Sequence, residues 1–497
     1  MGEKEKLGKL ARGGLITLIG LITSALLGFA VRTAVGRLYG PKEYGVYSLA
    51  MTVFYFVLAL SMLGFPIGLQ REVSYFREKR PHLVGTLVST ALVVVFISAT
   101  AFMIAIELAR WDVPRYIGGG AKLAVVLGIL MLALPVSAIV NTLIAVTQGF
   151  HRVREYVIYG RILPPALFLA VISTVSLLIG RSLELVVVGY VISQAAILAV
   201  MWTDLSRKGI LPDRLRFSQR LAKELLLFSL PLFLSSMVWL IMTWTDTLML
   251  GHYLGDRVAG IYNAATPLAR FIPVFMTAFT TIYNPIATAL YAEGKVEEIK
   301  GVYTRVTKWS VLMTFPLFAL FFLFPRQVVG TVFGSGYIGA GEPLMILSLG
   351  FMAQVLAGPA GLTLVAVGQP RQAMAGNVIG ALLNVSLNAA LIPAYGMRGA
   401  AVATAVSYLV ASAYKLLVLW REIGCPLGRD YAKVLLLGGP IVAVGARFFH
   451  ASSLTGALAT TGLLSGVFYA AVGLIAVDDE DIGLMKELLG SVRKGKL

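Results

Sequence analysis

The sequence predicts an all-α polytopic membrane protein of about 14 transmembrane helices: two six-helix lobes followed by a C-terminal two-helix hairpin. Three observations carry this prediction. Hydrophobic residues fill 58% of the 497 positions and charged residues only 13%, with mean hydropathy +0.83. A soluble globular chain carries roughly 25% charged residues, so most of this one must meet lipid or its own apolar neighbours. The apolar residues gather into fourteen stretches, each near the roughly 20 residues that cross a bilayer. The chain also repeats itself at a nearly fixed offset.

The stretches run, in order, over about 11–38, 45–69, 83–109, 121–148, 156–180, 183–204, 225–254, 258–288, 308–330, 341–368, 373–393, 397–420, 432–449 and 454–477. Their connections are too short for a soluble domain. The first stretch is too long for a signal peptide and lacks a small-residue cleavage site. A membrane β-barrel would instead show strands of about 10 residues alternating in polarity.

Sliding the chain by 215 positions places Gly36, Gly40, Gly45, Tyr47 and Ala50 on Gly251, Gly255, Gly260, Tyr262 and Ala265. Both copies sit where one apolar stretch hands over to the next. A second match, at an offset of 221, pairs residues 143–158 with 364–379. The repeat defines an N-lobe (1–205, segments 1–6), a basic cytoplasmic linker (206–224), a C-lobe (225–422, segments 7–12), segments 13–14 (423–477) and a tail (478–497). Six helices is an even number, so both lobes insert the same way and their pseudo-two-fold should run along the membrane normal. A duplicated bundle of this kind points to a transporter with its path between the halves. The tail opens with the acidic run Asp478–Asp481 and then reads as a short amphipathic helix.

The net charge of +17 does not indicate nucleic acid, because of where it falls. With the N-terminus inside and sides alternating, 28 of the 42 Lys and Arg lie inside, 9 outside and 5 within the spans. That positive-inside bias places both termini in the cytoplasm of a cytoplasmic-membrane protein, with a basic face for anionic lipid headgroups. The single Cys425 excludes an internal disulfide. No GxxxxGK[ST] phosphate loop occurs, so no hydrolysis by this chain and no ATPase subunit is implied.

Charges inside the spans cost several kcal/mol unless they face water or a partner. Arg161, Lys415 and Glu107 lie about one turn from a helix end, where snorkelling accounts for them. Arg270 lies mid-segment, and Arg32 about two turns below the outer end of segment 1, with Arg37 near the rim. Arginines facing one cleft with few acids would make an anion site, since the planar guanidinium fork suits phosphate. The alternative is a structural ion pair, for which Asp246 is the one comparably deep acid. Asp246, Asn388 and Thr404 each lie about 10 Å below the outer surface, at 1.5 Å per residue. Asn384 is one turn deeper on the face of Asn388. Carboxylate, amide and hydroxyl oxygens suit a hard monovalent cation, and the lack of His and Cys argues against a transition metal. Polar residues gluing helices together is the competing reading.

The element GRLYGPKEYGVYSLA, the fourteen spans and the two six-helix lobes resemble the multidrug/oligosaccharidyl-lipid/polysaccharide exporter superfamily. Within it the chain is similar to the flippases that move polyprenyl-linked sugars across the cytoplasmic membrane. The resemblance covers nearly the whole chain. It implies a lipid-linked oligosaccharide as substrate, membrane lipids as surroundings and a monomeric transporter. The lipid II flippases of this superfamily carry cleft arginines on segments 1, 2 and 8, which maps to Arg32, Arg71 and Arg270. Arg71 is equally placed to be an inner-face anchor. Those flippases also carry a sodium site with an acid on segment 7, two residues four apart on segment 11 and a Thr on segment 12. Asp246, Asn384, Asn388 and Thr404 fit that spacing, except that Asn388 stands where the pattern has an acid. The resemblance thus implies alternating access, with sodium as the implied coupling ion. A drug/cation antiporter of the same superfamily would want acids in its first lobe, and segment 1 has none. An integral-membrane glycosyltransferase would need a catalytic acid or carboxylate pair at a membrane face, and the one acidic cluster lies on the tail.

Overall fold

The computed structural model describes residues 3–475 except 213, 215, 425, 426 and 450. The expected tail 478–497 and Cys425 lie outside the described residues. Helix dominates, and no strand occurs among the described residues. Each expected stretch coincides with helix, several of them interrupted.

Nine helices among the described residues are long and apolar enough to cross a membrane, or twelve when each of three bent pairs counts as one span. Two of the nine are too long for a single crossing. Gly20–Ser61 has 42 residues and Pro370–Ile423 has 54. At 1.5 Å per residue these would reach about 60 and 80 Å, against a hydrocarbon core of about 30 Å. Each contains one glycine that leaves the helix: Gly40 (φ 78°, ψ 174°) and Gly396 (φ 59°, ψ −134°). Segments 1 and 2 lie on either side of Gly40, and segments 11 and 12 on either side of Gly396.

The bent pairs break where the sequence analysis drew continuous segments. Gly120–Met131 and Leu134–Gly149 meet at 47°, and Asp256–Ala269 and Val274–Ala292 at 46°. Proline explains the breaks. Pro135 starts the second helix of the first pair and Pro273 caps that of the second, each removing a backbone donor. The third pair, Gln219–Pro231 and Ser236–Leu254, bends after Pro231.

The repeat has a backbone signature. Gly255 (φ 84°, ψ 175°) adopts nearly the torsions of Gly40, its partner at the offset of 215. Only glycine reaches this region cheaply; other residues lose about 1–3 kcal/mol. The second match has no such shared position: the positive φ falls on His151 (57°) in one copy and on Gly368 (80°), the partner of Thr147, in the other.

The chain forms two compact units, Met1–Ile261 and Tyr262–Leu497. The expected lobes divide it by repeat at 206–224, whereas packing divides it within the helix Asp256–Ala269. The helix Gln219–Leu254 packs in the first unit, on Phe65–Lys79 and Val84–Ala109. Also within that unit, the two copies of the first match touch backbone to backbone. A Cβ on Gly45 would lie 1.8 Å from the Asp256 carbonyl oxygen, and one on Gly260 would lie 2.1 Å from the Pro41 carbonyl oxygen. Pro41 and Asp256 are themselves partners at the 215 offset, as are Gly45 and Gly260. The contact is therefore reciprocal, like an isologous interface written into one chain.

Beside this contact Lys122 reaches Glu43 at 2.7 Å and Glu184 at 3.6 Å. Beyond the helix Leu183–Arg207, Lys208 bridges Asp204 at 2.8 Å and Glu155 at 2.9 Å. Hydrogen bonds to Asp204 and Glu155 raise the Lys208 pKa above the ordinary lysine value. In the second unit, Val296–Leu323 packs against both Arg429–Phe448 and Leu454–Ile475, with Phe315 stacked on Phe468 at 3.8 Å between ring centres. Segments 13 and 14 thus pack on each other and on segment 9.

Candidate functional site

Arg32 lies eight residues before Gly40, on the first half of the helix Gly20–Ser61, and is partly buried. Its guanidinium carbon stands 5.8 Å from the centre of the Trp244 ring. Trp244 in turn stacks on Tyr55, with ring centres 5.7 Å apart and planes at 22°. Among the described residues no carboxylate lies within ion-pair reach of Arg32. The result is a cation inside a span seated against one aromatic ring, with no carboxylate paired to it among the described residues.

The other arginines differ. Arg37 is exposed, one turn nearer Gly40. Arg71, on Phe65–Lys79, lies over the Phe228 ring at 4.5 Å and pairs with Glu72 at 3.1 Å, its side chain 65% exposed. An exposed pair of this kind contributes little stability. Arg270 occupies the break between Asp256–Ala269 and Val274–Ala292, where its amide donates to the Thr266 carbonyl at 3.1 Å. Broken backbone at membrane depth is tolerated where protein or a wet cavity surrounds it, so the break and the charge call for the same surroundings. The remaining span charges have local partners. Arg161 donates to the Tyr156 hydroxyl at 2.9 Å, Arg110 pairs with Glu107 at 2.9 Å, and Lys415 donates to Asn377 Oδ1 at 2.6 Å.

Asp246 is buried on Gln219–Leu254, two residues from Trp244, in the first unit. Asn384, Asn388 and Thr404 are buried together in the second. There Asn388 Nδ2 donates to Asn384 Oδ1 at 3.1 Å, and Asn384 Nδ2 donates to Thr404 Oγ1 at 3.0 Å. The spacing of four put the two asparagines on one face, and the fold of Pro370–Ile423 at Gly396 brings Thr404 back to them. This ladder gathers amide and hydroxyl oxygens at one place, the chemistry that a hard monovalent cation accepts.

A groove of about 420 Å³ also lies in the second unit, between Val296–Leu323, Gly341–Leu356, Arg429–Phe448 and Leu454–Ile475. Phe315, Phe318, Phe322, Met352, Leu435 and Phe468 line it. An apolar slot between spans accepts an alkyl chain without leaving lipid. Trp244 and Tyr55 are the site residues that sequence reasoning passed over. Hydropathy counts both as apolar, and nothing in their spacing links them to Arg32.

The chain resembles known proteins in both sequence and fold. Residues 10–291 match the family described as polysaccharide biosynthesis protein, and residues 231–390 match the MatE family. The chain is 24% identical over 407 residues, 81% of each chain, to a probable low-salt glycan biosynthesis flippase of Haloferax volcanii. It is 24% identical over 230 residues, 44% of each chain, to a probable flippase of the same organism. Among solved structures it resembles the lipid II flippase MurJ in an inward closed conformation, with TM-score 0.73, 14% identity and coverage of 92% of this chain and 99% of that one. It also resembles an inward-facing multidrug resistance transporter, with TM-score 0.72, 16% identity and coverage of 81% and 95%.

Proposed function

We propose that this chain, which belongs to the polysaccharide biosynthesis protein family, is a flippase for a polyprenyl (pyro)phosphate-linked oligosaccharide. The protein is a multi-pass membrane protein of the multidrug/oligosaccharidyl-lipid/polysaccharide exporter superfamily. In the proposed reading it works in the cytoplasmic membrane as a monomer, with both termini cytoplasmic and no catalytic step. Arg32 carries the proposal. A charge left without a carboxylate at membrane depth is costly unless an anion visits it. Arg37, Arg71 and Arg270 are the further proposed phosphate ligands. The headgroup crosses through a wet path while the prenyl tail follows the apolar groove by segments 13 and 14. Rocking of two pseudo-symmetric lobes supplies alternating access. In cells depleted of this chain, polyprenyl-linked oligosaccharide should accumulate on the inner leaflet, scored by its resistance to an externally added glycosidase. Unchanged amounts and sidedness would count against the assignment. The second reading, a drug/cation antiporter, draws on the MatE match and on the buried Asp246.

Sodium is proposed as the coupling ion, held by Asp246, Asn384, Asn388 and Thr404. Support comes from the buried oxygens of the Asn384–Asn388–Thr404 ladder, and Asp246 would supply the one negative charge. Bound sodium would neutralise that carboxylate. Sodium, and not potassium, should then raise the melting temperature of the detergent-solubilised protein. The stabilisation is about 2.7 kcal/mol at a hundredfold excess over Kd. Asp246→Asn should abolish the difference between the two salts. Equal melting in sodium and potassium for the wild type would exclude a sodium site.

A further inference from the structure

The layered arrangement of Arg32, Trp244 and Tyr55 offers more than a phosphate ligand. All three lie in the first unit, and both rings keep part of their surface open: Tyr55 is 37% exposed and Trp244 partly so. Trp244 sits eleven residues before Gly255, about 16 Å into its helix at 1.5 Å per residue. Aromatic residues that serve a bilayer concentrate at its two interfaces, where their polar tips meet water. An open aromatic pair at this depth, bracketed by a charge, belongs to a binding surface instead.

We propose that Tyr55 and Trp244 form a carbohydrate subsite, an aromatic shelf for the first pyranose of the transported lipid. The inference rests on the flippase reading of Arg32. Only one bridging oxygen separates the anomeric carbon of that sugar from its phosphorus. A phosphate on Arg32 therefore brings the sugar to the neighbouring rings without further reach. A pyranose has a face of C–H bonds whose slightly positive hydrogens meet the negative face of a π system. Stacking of this kind reads ring shape and tolerates different hydroxyl patterns. The shelf would thus select for a sugar as such, and leave the identity of the glycan to be set elsewhere.

Two probes test it on the full-length detergent-solubilised protein: a polyprenyl phosphate, and the same lipid carrying one glucose. The wild type should bind the glucosylated lipid about tenfold more tightly, the range expected of an aromatic contact of about 1.4 kcal/mol. Tyr55→Leu keeps an apolar side chain but loses the ring, and should bring that ratio close to one. Tyr55→Phe keeps the ring and should keep the ratio. Arg32→Ala should weaken both lipids by a similar factor. A wild-type ratio near one, or a ratio that survives Tyr55→Leu, overturns the shelf while leaving the phosphate site standing. Failure of the wild type to bind either lipid overturns the flippase reading, and the shelf with it.

Discussion

Arg32→Ala is expected to abolish transport of a lipid-linked saccharide while the protein still folds and inserts. The guanidinium lies over the Trp244 ring, not in an ion pair that folding needs. Its removal leaves no carboxylate stranded, so the penalty of a broken buried salt bridge, about 3–5 kcal/mol, does not arise. What is lost is the one fixed positive charge of this stack. Arg32→Lys should restore transport only in part, because an ammonium is a point charge and cannot offer phosphate two parallel donors. Arg270→Ala, which removes the charge at the break between Asp256–Ala269 and Val274–Ala292, should also abolish transport. The readout is initial transport rate per folded protein, with size-exclusion profile and melting temperature as the check on folding. Full transport by both alanine variants would make these arginines structural.

Gly45→Ala should be the most disruptive one-methyl change in the first unit. The added carbon would sit 1.8 Å from the Asp256 carbonyl oxygen, a backbone atom that cannot swing aside. Gly260→Ala meets the Pro41 carbonyl at 2.1 Å, the mirror of the same contact. Each should destabilise by about 1–3 kcal/mol, the usual range for overpacking. The double variant should cost clearly less than the sum, because both methyls force apart one pair of backbones. A thermodynamic cycle on melting in detergent reads this directly. Under alternating access this contact should also open in part of the cycle. The single variants should then slow transport by more than their melting temperatures suggest. Additive losses would show that the two glycines act independently and that the contact is not a unit.

Much of this was legible in the sequence, and the parts that were not have physical reasons. The spans follow from apolar length alone. Gly40 and Gly255 were legible as a repeated pair because a backbone position that needs positive φ admits few residues but glycine. That their neighbours Gly45 and Gly260 touch each other was not, since the repeat marks equivalence and says nothing of proximity. Depth counting picked out Arg32 and Arg270, because charge in a span is conspicuous against its surroundings. It could not show that Arg270 stands in a helix break, although Pro273 was a signal that went unused. Spacing of four gave the Asn384–Asn388 bond, while the bond to Thr404 depends on how the chain folds back at Gly396. Tyr55 and Trp244 were invisible as a pair, since the contact joins distant segments of the chain. The exposed pairing of Arg71 with Glu72 depends on side-chain conformers, which spacing alone does not give.

Transport by the purified protein in sealed liposomes tests the central claim most directly. Liposomes would carry a fluorescent polyprenyl pyrophosphate-linked oligosaccharide in both leaflets, and a membrane-impermeant glycosidase would then be added outside. Without protein about half of the lipid should remain protected, because a charged sugar headgroup does not cross hydrocarbon unaided. With the wild-type chain the protected fraction should fall towards zero within the assay, and Arg32→Ala should leave it at the protein-free value. A protected pool that stays at half with folded wild-type protein, in the presence and absence of a sodium gradient, would contradict the assignment of this chain as a lipid-linked oligosaccharide flippase.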